Sequence, residues 1–170
     1  MQLPQFPGVN IEILLFQDVS NANDIRSKIA ELPYAFIDAR TICSVEQLMS
    51  AIYRVMIESK YNRLRTKSLH SEVLLALSPT SNIGEAFKKF GISDDTKNLI
   101  MIEINQDNDN SSLDKTVVNG EIVDFNDDNL QKNSDVNAIR KIYKIDQSVE
   151  FENISELSRA TVNAIQLRGI

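Results

Sequence analysis

The stretch NLIMIEIN at residues 98–105 does most to restrict the fold of this chain. It is short, rich in branched apolar side chains and ends at a polar run, so it reads as a β-strand and is the clearest one in the sequence. Three other segments read as strands. VNIEILLF (9–16) is partly alternating, YAFIDA (34–39) is short, and SEVLLALS (71–78) is a continuous apolar run that fits a well-buried strand or the strand side of a βα unit. Helical signals lie between them. Val45, Leu48, Met49, Ile52, Tyr53 and Met56 recur at helical spacing behind the capping-box pattern Ser44-Val45-Glu46-Gln47, which predicts an amphipathic helix to about Tyr61. Asn21 with Asp24 predicts a short helix bearing Ile25, Ile29 and Leu32, stopped by Pro33. A helix from about Ile83 to Phe90 follows Asn82 as cap, with Glu85 as reciprocal partner and Gly91 as a left-handed C-cap. Residues 128–144 read as one helix with Val136, Ile139, Ile142 and Tyr143 on one face, and Asn153 with Glu156 caps a last helix carrying Leu157, Thr161 and Ile165.

Two segments resist assignment. Residues 105–112, NQDNDNSS, predict a mobile loop. Residues 112–123 fit either a hairpin turning at Asn119-Gly120 or a short helix capped by Gly120. About four strands and five or six helices in no regular βαβ order predict an α+β, mixed α/β chain. The expectation is a single domain over 1–170, with a small, mainly antiparallel sheet packed against several helices.

At 170 residues the chain is long enough for one sizeable core. One cysteine, Cys43, excludes an internal disulfide and fits a reducing compartment, and MQLPQFPGVN does not resemble a secretory signal, so a cytosolic or nuclear location is expected. The net charge of −6 argues against non-specific coating of nucleic acid, but the charge is unevenly spread. Residues 103–128 hold eight acids against Lys115 alone, whereas residues 59–71 hold Lys60, Arg63, Arg65, Lys67 and His70 and no acid.

The search for catalytic chemistry is negative. No glycine pattern of a nucleotide-binding loop is present, and no cofactor is expected. One histidine and one cysteine do not make a zinc site, and nothing marks Cys43 and His70 as a nucleophile pair. Ser78 and Ser81 lack a serine-hydrolase motif. Asp127 and Asp128 lack the spacing of a calcium loop and read better as an N-cap. The basic segment is the informative feature. Lys60 and Arg63 suit a helix C-terminus. Arg65 and Lys67 lie beyond it, with Tyr61 and His70 interleaved, as in segments that hold single-stranded RNA. The helix start at SPTSNI leaves amides free for a phosphate, although Glu85 already complements the dipole there.

The run KYNRLRTKSLHSEVLLALSPTSNIGEAFKKFGISDD (60–95), with AIYRVMIESK before it, IRKIYKI (139–145) and LSRATVNAIQLRGI (157–170), resembles the PRPK-binding, TPRKB-type subunit of the KEOPS (EKC) complex, in particular its fungal members. The likeness covers nearly the whole length and is most specific in SPTSNI-x-x-AF-x-KFGI and AIQLRG. It implies a non-catalytic subunit of the machinery that makes threonylcarbamoyladenosine in tRNA. Such a subunit binds and stimulates the small atypical kinase/ATPase of the complex and helps capture tRNA by its 3′ CCA end. In fungi it is also implicated in telomere maintenance, with nucleus and cytoplasm as its places. On this reading Lys60, Arg63, Arg65 and Lys67, with Ser81 and Asn82 at the helix start, are the expected tRNA contacts. The apolar residues Leu157, Ile165, Leu167 and Ile170 of the C-terminal helix are the expected kinase contacts, or else plain core. The alternatives are a purely protein-binding adaptor whose basic residues serve only solubility and helix ends, and an unrecognised enzyme using Cys43 or His70. The acidic stretch 105–124 departs from the resemblance.

Overall fold

A computed structural model describes residues 1–109 and 112–168. Four strands, β1 (Asn10–Gln17), β2 (Ala35–Asp38), β3 (Leu99–Asn105) and β4 (Glu121–Val123), form one antiparallel sheet in the order β2-β3-β1-β4. The long central pair runs in register from Asn10 opposite Asn105 to Phe16 opposite Leu99. Because side chains alternate across a strand, Ile11 and Leu15 share one face with Ile100, Ile102 and Ile104, and Phe16 shares the other with Leu99 and Met101. Both faces are covered, so β3 reads as an unbroken apolar run.

The first face packs against most of the helical layer. That layer is α2 (Val45–Lys60), α3 (Leu69–Leu77), α4 (Ile83–Phe90), α5 (Asp127–Asn133), α6 (Val136–Ile142) and α7 (Ile154–Leu167). The second face carries a thinner cover: α1 (Ala22–Lys28) through Ala22 and Ile25, with Tyr34, Leu113 and Val118. The expected α+β fold with an antiparallel sheet is what is found.

One strand expectation is overturned. SEVLLALS is not a strand; it supplies most of α3. Val73 to Leu77 are all buried, so this helix is apolar on every side and carries no polar face to betray its period. Its start is a true capping box: Ser68 accepts from the Ser71 amide and the Ser71 hydroxyl accepts from the Ser68 amide, a serine standing where glutamate or glutamine is usual. The predicted helix at 128–144 is two helices, because the Asp135 backbone is extended and its carboxylate caps α6 at the Ala138 amide. The cap of α5 is Asn126, not an aspartate. Asp127 instead accepts from the Val45 amide at 2.8 Å and so caps α2 from outside. Gln47 does not reach back to Ser44; its carboxamide oxygen takes the Cys43 amide at 2.8 Å. In 112–123, Gly120 caps no helix; β4 follows it and pairs with β1.

Gly91 is required, but not for a left-handed turn. Its φ is −71°, and a Cβ there would lie 2.4 Å from the Phe87 carbonyl oxygen. That carbonyl is already fixed by accepting the Gly91 amide. Ile37 bridges to Gly91, so the residue also ties the end of α4 to the edge of the sheet. Gly91→Ala is therefore expected to cost about 1–3 kcal/mol as an overpacked contact. Thermal unfolding followed by circular dichroism should show a fall of roughly 2–4 °C for each kcal/mol lost.

Candidate functional site

The basic segment leaves the end of α2. Lys60 is the last helical residue, and Asn62 takes a left-handed backbone at φ 56° that turns the chain back. The Arg63 guanidinium donates to Glu58 at 3.0 Å and lies 5.2 Å from the centre of the Tyr61 ring, while the Lys60 ammonium lies 5.9 Å from the same ring. Arg63 is thus partly neutralised. Glu72, on the first turn of α3 and only 3 % exposed, fastens the next part of the segment. It accepts from the Arg65 amide at 3.2 Å, the Thr66 amide at 2.9 Å and the Thr66 hydroxyl at 2.6 Å. A carboxylate just outside the acid-free run therefore shapes it, leaving the Arg65 and Lys67 side chains exposed.

The segment 78–82 joins α3 to α4. Ser78 is buried and its hydroxyl accepts from the Thr80 amide, while Ser81 and Asn82 are exposed. Asn82 caps α4 by accepting from the Glu85 amide at 2.9 Å. Glu85 does not return the bond; it pairs with Lys89 at 2.6 Å, which holds its carboxyl below the usual carboxylate range.

Two further arginines complete the arrangement: Arg54, which sequence reasoning passed over, and Arg168, which it met within AIQLRG. Arg54, on α2, donates to the carbonyls of Ile165 and Arg168. Arg168, just past α7, donates to the Leu75 carbonyl at 2.8 Å and reaches the Thr80 carbonyl at 3.5 Å. The C-terminal end of α7 is thereby clasped to α2 on one side and to the segment before α4 on the other. Among the described residues no carboxylate lies within ion-pair distance of Arg54, Arg65 or Arg168, and the Nε atoms of Arg54 and Arg168 are buried without a partner. Burial, then the charge of Arg54 and more weakly that of Arg65, pulls the Arg168 guanidinium below its ordinary range, with Glu72 and Glu58 opposing. Arg168 thus lies in electrostatic reach of both Arg54 and Arg65, and it reaches the Thr80 carbonyl just before Ser81 and Asn82 in the chain. Arg54 gave no sequence signal because it sits in an amphipathic helix and meets partners more than a hundred residues away.

The expected kinase contacts separate. Leu157 and Ile165 are core residues, 1 % and 0 % exposed, with no surface to offer a partner. Leu167 is 62 % exposed. Ile170 lies outside the described residues.

Cys43 and His70 are not brought together as a reactive pair. Burial pushes the Cys43 thiol up to about 11, so it stays protonated and inert at neutral pH. The His70 Nε2 accepts from the Ile104 amide at 3.0 Å, and burial pushes its imidazole down to about 4. Among the described residues no group of three histidine, cysteine or acidic side chains is placed to hold a metal, and no helix is long and apolar enough to cross a membrane.

The family model for the kinase binding protein CGI-121 matches residues 16–169. The EKC/KEOPS complex subunit CGI121 of Candida glabrata is 45% identical over 172 residues, covering 99% of this chain and 98% of that protein. The subunit of the same description from Eremothecium gossypii is 46% identical over 175 residues, covering 99% and 97%. The one from Schizosaccharomyces pombe is 34% identical over 177 residues, covering 99% of both chains.

Proposed function

Since the chain belongs to the CGI-121 family of kinase binding proteins, we propose that it is a non-catalytic subunit of an EKC/KEOPS complex. It binds and stimulates the small kinase/ATPase of that complex and helps hold tRNA by its single-stranded 3′ end for threonylcarbamoyladenosine modification. Nuclear and cytoplasmic residence and a part in telomere maintenance go with the same reading. The observation that carries the tRNA half is Arg168 at the Thr80 carbonyl, just before the exposed Ser81 and Asn82, with the Arg54 and Arg65 charges in reach of it and, among the described residues, none of the three ion-paired with a carboxylate. Guanidinium groups in such a setting suit phosphate oxygens, and a helix start adds free amides. Lys67 follows Arg65 in the same exposed segment, while Lys60 and Arg63 gather over the Tyr61 ring, Arg63 paired with Glu58.

A second reading, a protein adaptor with no RNA contact, is favoured by one feature. Arg54 already gives both terminal nitrogens, and Arg168 one, to backbone carbonyls, and Arg63 pairs with Glu58. Fluorescent tRNA, intact or lacking its 3′ tail, titrated with the chain alone and with its kinase across a salt series, separates the two. The tRNA reading expects weaker binding of the truncated tRNA. It also expects that Arg65→Glu with Lys67→Glu lowers tRNA affinity at least about tenfold and flattens the salt slope by about two phosphate contacts, with kinase binding intact. Equal binding of both tRNAs by parent and variant selects the adaptor.

A further inference from the structure

A partner that binds this chain needs an apolar surface with few charges, and the C-terminal helix leaves one exposed leucine, Leu167. A larger apolar surface lies elsewhere. The outer stripe of α2 presents Tyr53, Ile57 and Tyr61 one turn apart, with Ile57 43 % and Tyr61 61 % exposed. The N-terminal arm runs beside it and sets Phe6 against Tyr53 at 6.3 Å between ring centres. Phe6 divides the space between arm and helix into two adjoining open clefts of about 310 and 370 Å³, which share Gln5, Phe6 and Lys60 as walls.

The lining identifies the kind of occupant. Phe6, Ile57 and the tyrosines are the aromatic and aliphatic side chains that anchor protein interfaces. Lys60 is the one charged residue in either wall, and among the described residues it has no carboxylate partner. A strand of RNA needs several cations along its path, and this groove supplies one. Gln5 and Gln106 offer amides to a passing backbone.

We propose that the groove between the N-terminal arm and α2 is where the protein partner docks, through a segment that places an apolar side chain in the cleft beside Ile57 and a carboxylate on Lys60. The occupant is taken to be the kinase, so the proposal rests on the kinase-binding reading above.

Calorimetric titration of the full chain with the purified kinase subunit tests it, with fluorescent tRNA titrated in parallel. Ile57→Glu, at an exposed position, is expected to keep the parent melting temperature, to weaken kinase binding at least about tenfold, and to leave tRNA affinity unchanged. Lys60→Glu should weaken kinase binding several-fold and Lys60→Arg should restore it. Leu167→Glu should have little effect. Parent-like kinase binding by Ile57→Glu overturns the groove alone. Loss of tRNA binding by that variant, with kinase binding kept, assigns the groove to RNA. Loss of self-association on ultracentrifugation, with kinase binding kept, assigns it to a second copy. If the parent chain itself binds no kinase, the kinase-binding reading and the groove's occupant fall together.

Discussion

Replacing Gln47 with leucine is expected to remove about 3–4 kcal/mol of stability, an unusually large effect for one polar residue. Gln47 is 0 % exposed and its carboxamide is fully used. The oxygen takes the Cys43 amide at 2.8 Å, and the nitrogen donates to the Thr41 carbonyl at 3.0 Å and the Tyr143 hydroxyl at 3.1 Å. Tyr143 in turn donates to the Leu77 carbonyl at 2.6 Å. One side chain therefore joins the entry to α2, the end of α3 and the end of α6 at the base of the helical layer. Leucine fills the space but leaves a buried amide and two buried oxygens short of partners, each costing about 1–3 kcal/mol when the loss is complete. Thermal and urea unfolding of Gln47→Leu and of Tyr143→Phe, singly and together, should show the double variant losing less than the sum, because both singles break the same chain of bonds. Strict additivity would mean that the two residues act apart.

Acid should destabilise this protein through His70. The imidazole is held neutral by burial, at about 4 against 6.5 when unfolded, and its Nε2 accepts from the amide of Ile104 on β3. A group whose folded value is depressed contributes fully above its unfolded value. Below pH 6.5 the unfolded chain binds the proton and the folded chain does not, so stability falls by up to about 1.4 kcal/mol per pH unit as pH drops toward 4. Over the window that amounts to roughly 3 kcal/mol. Glu103 acts in the opposite sense. Burial raises its carboxyl first of all, so lowering the pH relieves it. His70→Gln keeps an acceptor for Ile104 and removes the titration, so the parent-minus-variant difference isolates His70. A difference that stays flat from pH 7 to 4 would contradict the assignment.

The parts of this fold that were legible in the sequence are those whose signal is local. Ser44, Asn82 and Asn153 each cap the helix they were assigned, because a side-chain oxygen three residues before an amide needs nothing but the backbone. The strands at 10–17, 35–38 and 99–105 followed from short β-branched runs. α3 was misread because a helix buried on every side shows no period, and a run of Val73 to Leu77 fits either element. Asn21 stands at the predicted helix start, but its side chain does not cap α1; it bonds the Val117 carbonyl and the Asn119 amide. The candidate site divides in the same way. Arg65, Lys67 and the SPTSNI turn stand out by charge and small residues. Arg54 and Arg168 acquire meaning only when α2 and α7 pack, and Glu72 only when the chain folds back onto it. Of the outer stripe of α2 only Tyr53 belongs to the apolar spacing read from the sequence, and spacing cannot say that it faces half outward; Ile57, 43 % exposed, stands outside that pattern.

Asn21 has a consequence for how the molecule breathes. Its side chain bonds 117 and 119, the Ser20 amide bonds the Asn119 carbonyl at 2.9 Å, and the Tyr34 hydroxyl accepts from the Asp114 amide at 3.2 Å. These ties bind α1 and residues 113–119 into one lid over Phe16, Phe36, Leu99 and Met101. The lid has few apolar contacts beside the helical layer, so it is the natural unit of partial unfolding. In hydrogen exchange, the amides of α1 and of Val117 to Asn119 should share one opening free energy below that of the helical layer. Each opening would bare an aromatic sheet face while the surfaces proposed for kinase and tRNA stay folded.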